Sequence, residues 1–457
     1  MTSRRALFAG LPHRHALSLA WPMIVANISV PLVGLVDTAM LGNFSDAQNL
    51  GAVAAGAIVL SAAYWVLSFL RLGTTSLVGR AVGAGRPLDT ISHLQRSLML
   101  AGVIAVAILV LQWVAIPLAM SIVAPAGEVR ELATTYGQIR VHSLPAVLAT
   151  SVITGYFIGS QDTRRPLAIA VVVNLVNLVL DIVFVGGLRW GASGAAWATL
   201  IAEWLGLAVA VVLLWRFLDP ALRARLRSWR GQGLRSRWRA LLTMNADLAI
   251  RTALLYMALT FLTAAGGRIS EEVLAANAIL LQVTLLASYG LDGYAHAAEA
   301  MSARALGTRR LDEFHRANAA ATLPALGIAA VFTALFLIGQ GPFITLMTSL
   351  PDLAQTTAEY YHWAAWLPLI SVAAYQLDGI FIGSGQTRIM RNMMLVAVVG
   401  VYLPVFLVPA WVRGEASNDD LWLAFTLLNV ARGLLLGAAY WRLTRTGGWL
   451  RTADAAA

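Results

Sequence analysis

Asp37 lies in VPLVGLVDTAMLG, residues 30–42, a stretch that is apolar on both sides of the acid. A second carboxylate, Asp181, closes the run VVVNLVNLVLD. There Asn174, Asn177 and Asp181 stand at i, i+3 and i+7 and share one face of a helix. The next apolar run carries Thr199 and, one turn on, Glu203. An ionised acid inside hydrocarbon is costly, and ionisable groups found there are functional by default. Two carboxyls held close together resist double ionisation through burial and like charge. Such a pair takes up a proton and gives it back when a cation or water enters. Asn amides and a Thr hydroxyl can bond either protonation state.

Helices crossing a membrane are what must position these residues. Of 457 residues, 59% are hydrophobic and 12% are charged, against about 45–50% and about 25% in ordinary soluble domains. Mean hydropathy is +0.71. Twelve apolar segments of about 20 residues or more are expected, near 17–41, 50–75, 96–121, 132–158, 166–188, 191–216, 240–264, 273–297, 318–347, 357–382, 391–412 and 420–442. The first runs past signal-peptide length through Trp21-Pro22 without a small-residue cleavage site, so it reads as a span. No cysteine is present, which removes disulfides and thiolate metal sites.

The net charge of +10 comes from arginine and falls in every second loop. Arg4, Arg5 and Arg14 precede the first span; Arg80 and Arg86, Arg164 and Arg165, Arg304 to Arg310, and Arg388 and Arg391 follow in alternate loops. The intervening loops carry Asp46, Glu128, Glu131, Glu271, Glu272, Asp352 and Glu415. By the positive-inside rule both termini are cytoplasmic, which needs an even number of spans. The expected architecture is therefore an all-α polytopic protein of twelve transmembrane helices in the inner membrane. The basic loop between spans six and seven reads as an anchor on an anionic membrane face, and nucleic-acid binding is not expected. It separates an N-lobe, 1–217, from a linker, 218–239, and a C-lobe, 240–457.

The halves resemble each other. FIGSQDTR at 157–164 returns as FIGSGQTR at 381–388, and RAVG at 80–83 returns as RALG at 304–307, both at one fixed offset along the chain. This predicts two parallel six-helix repeats, an arrangement common in transporters. At the same offset Val398, Val401 and Val405 replace Asn174, Asn177 and Asp181, so the polar stripe belongs to the first half alone. At about 1.5 Å per residue, Asp37, Asp181 and Thr199 lie about 8, 10 and 12 Å below the outer ends of their spans, at one level. Glu203 lies about 18 Å deep and is a candidate second proton carrier.

VDTAMLG, NLVNLVLD, the paired FIGS loops, DGYAHAAEA followed by RALG, and LDGIFIGSGQTR together resemble the multidrug and toxic compound extrusion (MATE) family, in its DinF-like branch. The resemblance implies a V-shaped pair of lobes. It also implies efflux of bulky, often cationic or polyaromatic drugs and toxins in exchange for H⁺ or Na⁺. It ties Asp37, Asn177, Asp181 and Thr199 to cation coupling, and the bending of span one to Pro22, with Pro31 nearer the acid.

The second half holds further candidates. Asp292, His296 and Glu299 fall at i, i+4 and i+7, with Asp378 at comparable depth, and they read as an inner-face network or a second cation route. Asp247 and Arg251, i and i+4, are expected to neutralise each other. Arg71, Arg140, Arg251 and Arg432 lie within spans without clustering in sequence. That weighs against a flippase for lipid-linked pyrophosphates. No nucleophile–base pair or HExxH motif supports an intramembrane enzyme. The expected activity is a monomeric H⁺-driven drug antiporter without cofactor or resident metal, Na⁺ at Asp37 and Asp181 being the alternative.

Overall fold

The computed structural model describes residues 12–124, 127–228 and 238–450, except the side chains of residues 30, 32, 33 and 35–38. The described residues are helical nearly throughout. In chain order the first helices are α1 (His13–Phe44), α2 (Ala47–Leu67), α3 (Phe69–Gly83), α4 (Pro87–Val123), α5 (Glu128–Val141) and α6 (Leu144–Gly159). Then come α7 (Arg164–Asp181), a π-helical turn (Ile182–Gly187), α8 (Gly191–Phe217), α9 (Pro220–Arg227), α10 (Trp238–Ile269), α11 (Glu271–Gly307) and α12 (Leu311–Ile338). The last are α13 (Gln340–Met347), α14 (Pro351–Ser384), α15 (Thr387–Ala397), a second π turn (Val398–Tyr402), α16 (Leu403–Arg413) and α17 (Asn418–Thr446).

Local signals set the ends of these helices. Asp46, Ser270 and Ser417 cap α2, α11 and α17, each side chain accepting an N–H of the first turn. Prolines open α4, α6, α9 and α14, where no intrahelical N–H is lost. Gly385 and Gly447 end α14 and α17 in the left-handed conformation.

Ten helices of the described residues are long and apolar enough to cross a membrane, or eleven when α5 and α6, bent by 47° at their junction, count as one span. In that count α2 and α3 form a single 37-residue span. α1, 32 residues long, is not in that count. The chain is thus an all-helical, multi-pass membrane protein.

Two compact units are present: Val25–Leu241, and Leu242 onward together with α1 as far as Ile24. The start of α1 belongs with the second unit for a local reason. His13 Nδ1 lies 3.1 Å from the carbonyl of Ala320, and Gly293 on α11 leaves room for Ile24 and the Ala20 carbonyl. The changeover between units falls between Pro22 and Pro31 of α1.

Each unit contains a close helix crossing built on two glycines. In the first unit α6 meets α3, where a Cβ on Gly155 would lie 2.5 Å from the Arg71 carbonyl and one on Gly159 2.7 Å from that of Thr75. In the second, α14 meets α11, and Gly379 and Gly383 face the carbonyls of Ala295 and Glu299 too closely for any side chain. Gly155, Gly159, Arg71 and Thr75 correspond to Gly379, Gly383, Ala295 and Glu299 at the offset that relates the FIGS loops. Small residues four apart let backbones approach where no hydrophobic force drives helices together.

Candidate functional site

The carboxyl group of Asp181, the last residue of α7, is fully buried. One turn before it, Asn177 Nδ2 donates to Thr199 Oγ1 on α8 at 3.1 Å, and Thr199 in turn donates to the carbonyl of Ala195 at 3.0 Å. The Asn177 amide oxygen is buried without a hydrogen-bond partner among the described residues. One turn earlier still, Asn174 Nδ2 donates to Ser29 Oγ on α1 at 2.6 Å. The polar stripe therefore stitches α7 to α8 with one residue and to α1 with another.

Asp37 is the central residue of the expected site, and its side chain lies outside the described residues. Its helix is nonetheless placed by its neighbours. Leu41, Val185 and Ala195 belong to one buried hydrophobic cluster, with Leu60, Tyr136 and Ala196. Leu41 is one turn after Asp37, Val185 one turn after Asp181, and Ala195 one turn before Thr199. A Cβ on Gly186 would lie 2.9 Å from Met40 Cε, so the π turn and α1 are in close contact there. The π turn begins immediately after Asp181, and such wide turns recur at functional sites.

Glu203 has a charged partner of its own. It lies within electrostatic reach of Arg140, whose guanidinium also hydrogen-bonds Tyr136 and sits 5.9 Å from the Tyr64 ring centroid. This Arg–Glu pair is at the bend between α5 and α6, where Tyr64 Oη is 3.1 Å from Ser143 Oγ and Trp204 Nε1 donates to the His142 carbonyl at 3.1 Å.

In the second unit an aromatic residue stands where the first has Asp37. Phe261, the counterpart of Asp37 in the repeat, packs against Tyr402 and Phe406 with ring centroids 5.7 and 5.3 Å away. No polar stripe survives there. The charge lies elsewhere: Arg251 on α10 and Arg432 on α17 both ion-pair with the same oxygen of Asp378 on α14. Arg432 also donates to Asn429 Oδ1 at 2.9 Å. Asp292 is within electrostatic reach of Arg251, and Tyr375 Oη is 2.5 Å from Ser288 Oγ. His296 Nδ1 is 3.4 Å from Glu299 Oε2.

These contacts correct one expectation. Asp247 does not neutralise Arg251: its carboxylate bonds Arg391 at 2.6 Å and Thr387 at 3.2 Å, joining α10 to α15. Arg251 and Arg432, which do not cluster in sequence, converge in space on Asp378. Spacing along one helix cannot reveal a partner on another. Ser29 and Asn429 also went unnoticed in the sequence. The available signal for Ser29 was its place two turns before Asp37.

A multi-pass helical protein with a buried carboxyl–amide site at one end of a duplicated helix set is a membrane transporter. The chain belongs to the MATE family: the MatE model matches residues 22–183 and again 248–408. It is similar to DNA damage-inducible protein F of Escherichia coli (strain K12), 37% identical over 94% of this chain and 92% of that one. Over 43% of each chain it is 30% identical to a probable multidrug resistance protein, NorM, of Caulobacter vibrioides. The fold matches an outward-facing multidrug resistance MATE transporter of the MOP superfamily with a TM-score of 0.85, at 19% identity over 99% of this chain and 100% of that one. This is a family of transporters, not of enzymes.

Proposed function

We propose that this chain is a proton-coupled exporter of bulky organic cations and polyaromatic compounds. It has both termini on the cytoplasmic side of the inner membrane and works as a monomer. Counting α1 with the eleven spans of the described residues makes twelve. The double match of the family model and the glycine crossings that recur in both halves support two six-helix repeats, an N-lobe and a C-lobe. Alternation of arginine between loops supports the orientation.

The observation that carries the coupling assignment is the burial of Asp181 and Asn177, the latter bonded to Thr199, with Asp37 on the helix whose Leu41 clusters with Val185 and Ala195, each one turn from that group. A proton from outside binds one carboxyl of the Asp37–Asp181 pair. The protonated pair packs α1 differently between Pro22 and Pro31, which expels the substrate outward and closes the N-lobe. Substrate from inside favours the deprotonated pair, and the proton leaves to the cytoplasm. The required coupling is this difference in affinity between the two states.

Na⁺ at the same two acids is the second reading, because carboxylates with Asn and Thr oxygens also suit a hard cation. A cation route through Asp378 is disfavoured by its two arginine partners, which already supply positive charge. The same pairing disfavours a pyrophosphate cradle built on Arg251 and Arg432.

The test is dye export from proteoliposomes with H⁺ and Na⁺ gradients imposed separately. Only the H⁺ gradient should drive export, and Asp37→Asn should abolish it with surface expression intact. Acceleration by Na⁺ alone, or export against a gradient by Asp37→Asn, would overturn the assignment.

A further inference from the structure

The segment that follows α8 is a docked structure. Gln95, fully buried on α4, donates from Nε2 to the carbonyls of Arg225, Leu226 and Ser228 at 3.2, 3.1 and 3.4 Å, the last acceptors of α9. Arg225 Nη2 reaches Ser92 Oγ on α4 at 3.4 Å. Arg223 Nε donates to the carbonyl of Trp215 at 2.8 Å. The guanidiniums of Arg223 and Arg227 lie 5.4 and 4.6 Å from the Trp215 ring centroid, and Arg216 is exposed in the last turn of α8.

The stretch 215–228 holds four arginines and one carboxylate, Asp219. None of the four forms an ion pair among the described residues. The dipoles of α8 and α9 account for basic residues in their last turns, Arg216 among them, but not for Arg223. A guanidinium stacked on an aromatic ring keeps its N–H edge available for oxygen acceptors. An aromatic ring with arginines where a span leaves the hydrocarbon suits a phosphodiester at the surface.

We propose that Trp215, Arg216, Arg223 and Arg227 form a binding site for the headgroup phosphate of an anionic phospholipid, held in shape by Gln95. The site belongs to the unit Val25–Leu241 and is independent of the coupling ion.

Native mass spectrometry of the detergent-purified protein, titrated with phosphatidylglycerol or phosphatidylcholine, tests it. Wild type should retain phosphatidylglycerol preferentially. R223Q/R227Q should lose about thirtyfold of that affinity, about fivefold for each charge withdrawn from an anionic surface. Equal retention by variant and wild type would overturn the proposal. So would displacement of the lipid by millimolar inorganic phosphate, which would make this a free-anion site. A headgroup-photoreactive phosphatidylglycerol on wild-type protein makes the test independent of how the variant folds. Adducts within 215–228 support the site, and adducts elsewhere alone refute it.

Discussion

Two buried aspartates of this chain behave differently because of their partners. Asp378 faces two guanidiniums, so it is a structural counter-charge. Asp378→Asn leaves both arginines buried and uncompensated, which costs about 3–5 kcal/mol. A large fall in the unfolding temperature of the purified protein is the expected result. Asp181 is buried one turn after an amide that bonds a hydroxyl, groups that tolerate either protonation state. Asn177→Ala should therefore cost stability only about 0.6 kcal/mol, the average for an interhelical hydrogen bond in a membrane. The same change should lower H⁺-driven dye exchange several-fold. Parallel melting and transport measurements on both variants distinguish the two roles. The common level of Asp181 and Thr199 was legible because depth can be counted along a helix, whereas the Asn177–Thr199 bond was not. Nor was the partner of Asp247, because Arg391 lies far along the chain and no repeat or spacing points to it.

At the scale of elements, close backbone crossings and capped helix ends hold the site. Gly155→Val and Gly379→Val should each prevent accumulation of folded monomer, as judged by size-exclusion chromatography of a fluorescent fusion, since a backbone carbonyl occupies the space of the new side chain. Gly102→Val, with open space around its Cα, should be tolerated. The start of α2 is tied to the start of α8 through Asn49, whose Nδ2 donates to Asp46 at 2.8 Å and whose Oδ1 accepts the Ala192 N–H at 2.7 Å. The Asn49 backbone N–H, then its side chain, holds the Asp46 carboxyl below its ordinary 3.8. A depressed acid contributes stability above its unfolded-state value, and that contribution is lost as pH falls through the folded one. Acidification below about pH 4 should therefore loosen this junction, and Asp46→Ala should remove that part of the acid sensitivity of the melting curve.

Orientation and duplication are properties of the whole molecule. The chain has no cysteine, so single substitutions report sidedness without background. With both termini inside, Arg310→Cys should be labelled by an impermeant maleimide only in inverted vesicles, and Glu128→Cys only in intact cells. The reverse pattern would invert the proposed topology. The halves are built alike yet specialised differently. Asp37 corresponds to Phe261 in an aromatic cluster, while Asp378 corresponds to Thr154.

The membrane class, the repeat, the polar stripe of α7 and the family were all readable from the sequence. Each depends on composition, periodicity or a fixed offset along the chain. Tertiary structure alone decided which charges meet. Arg251, Asp378 and Arg432 come from three separate helices, and Glu203 turns to Arg140 because the bend between α5 and α6 brings that arginine beside α8. Contacts of that kind depend on helix rotation and crossing, which side-chain packing sets and local spacing does not encode.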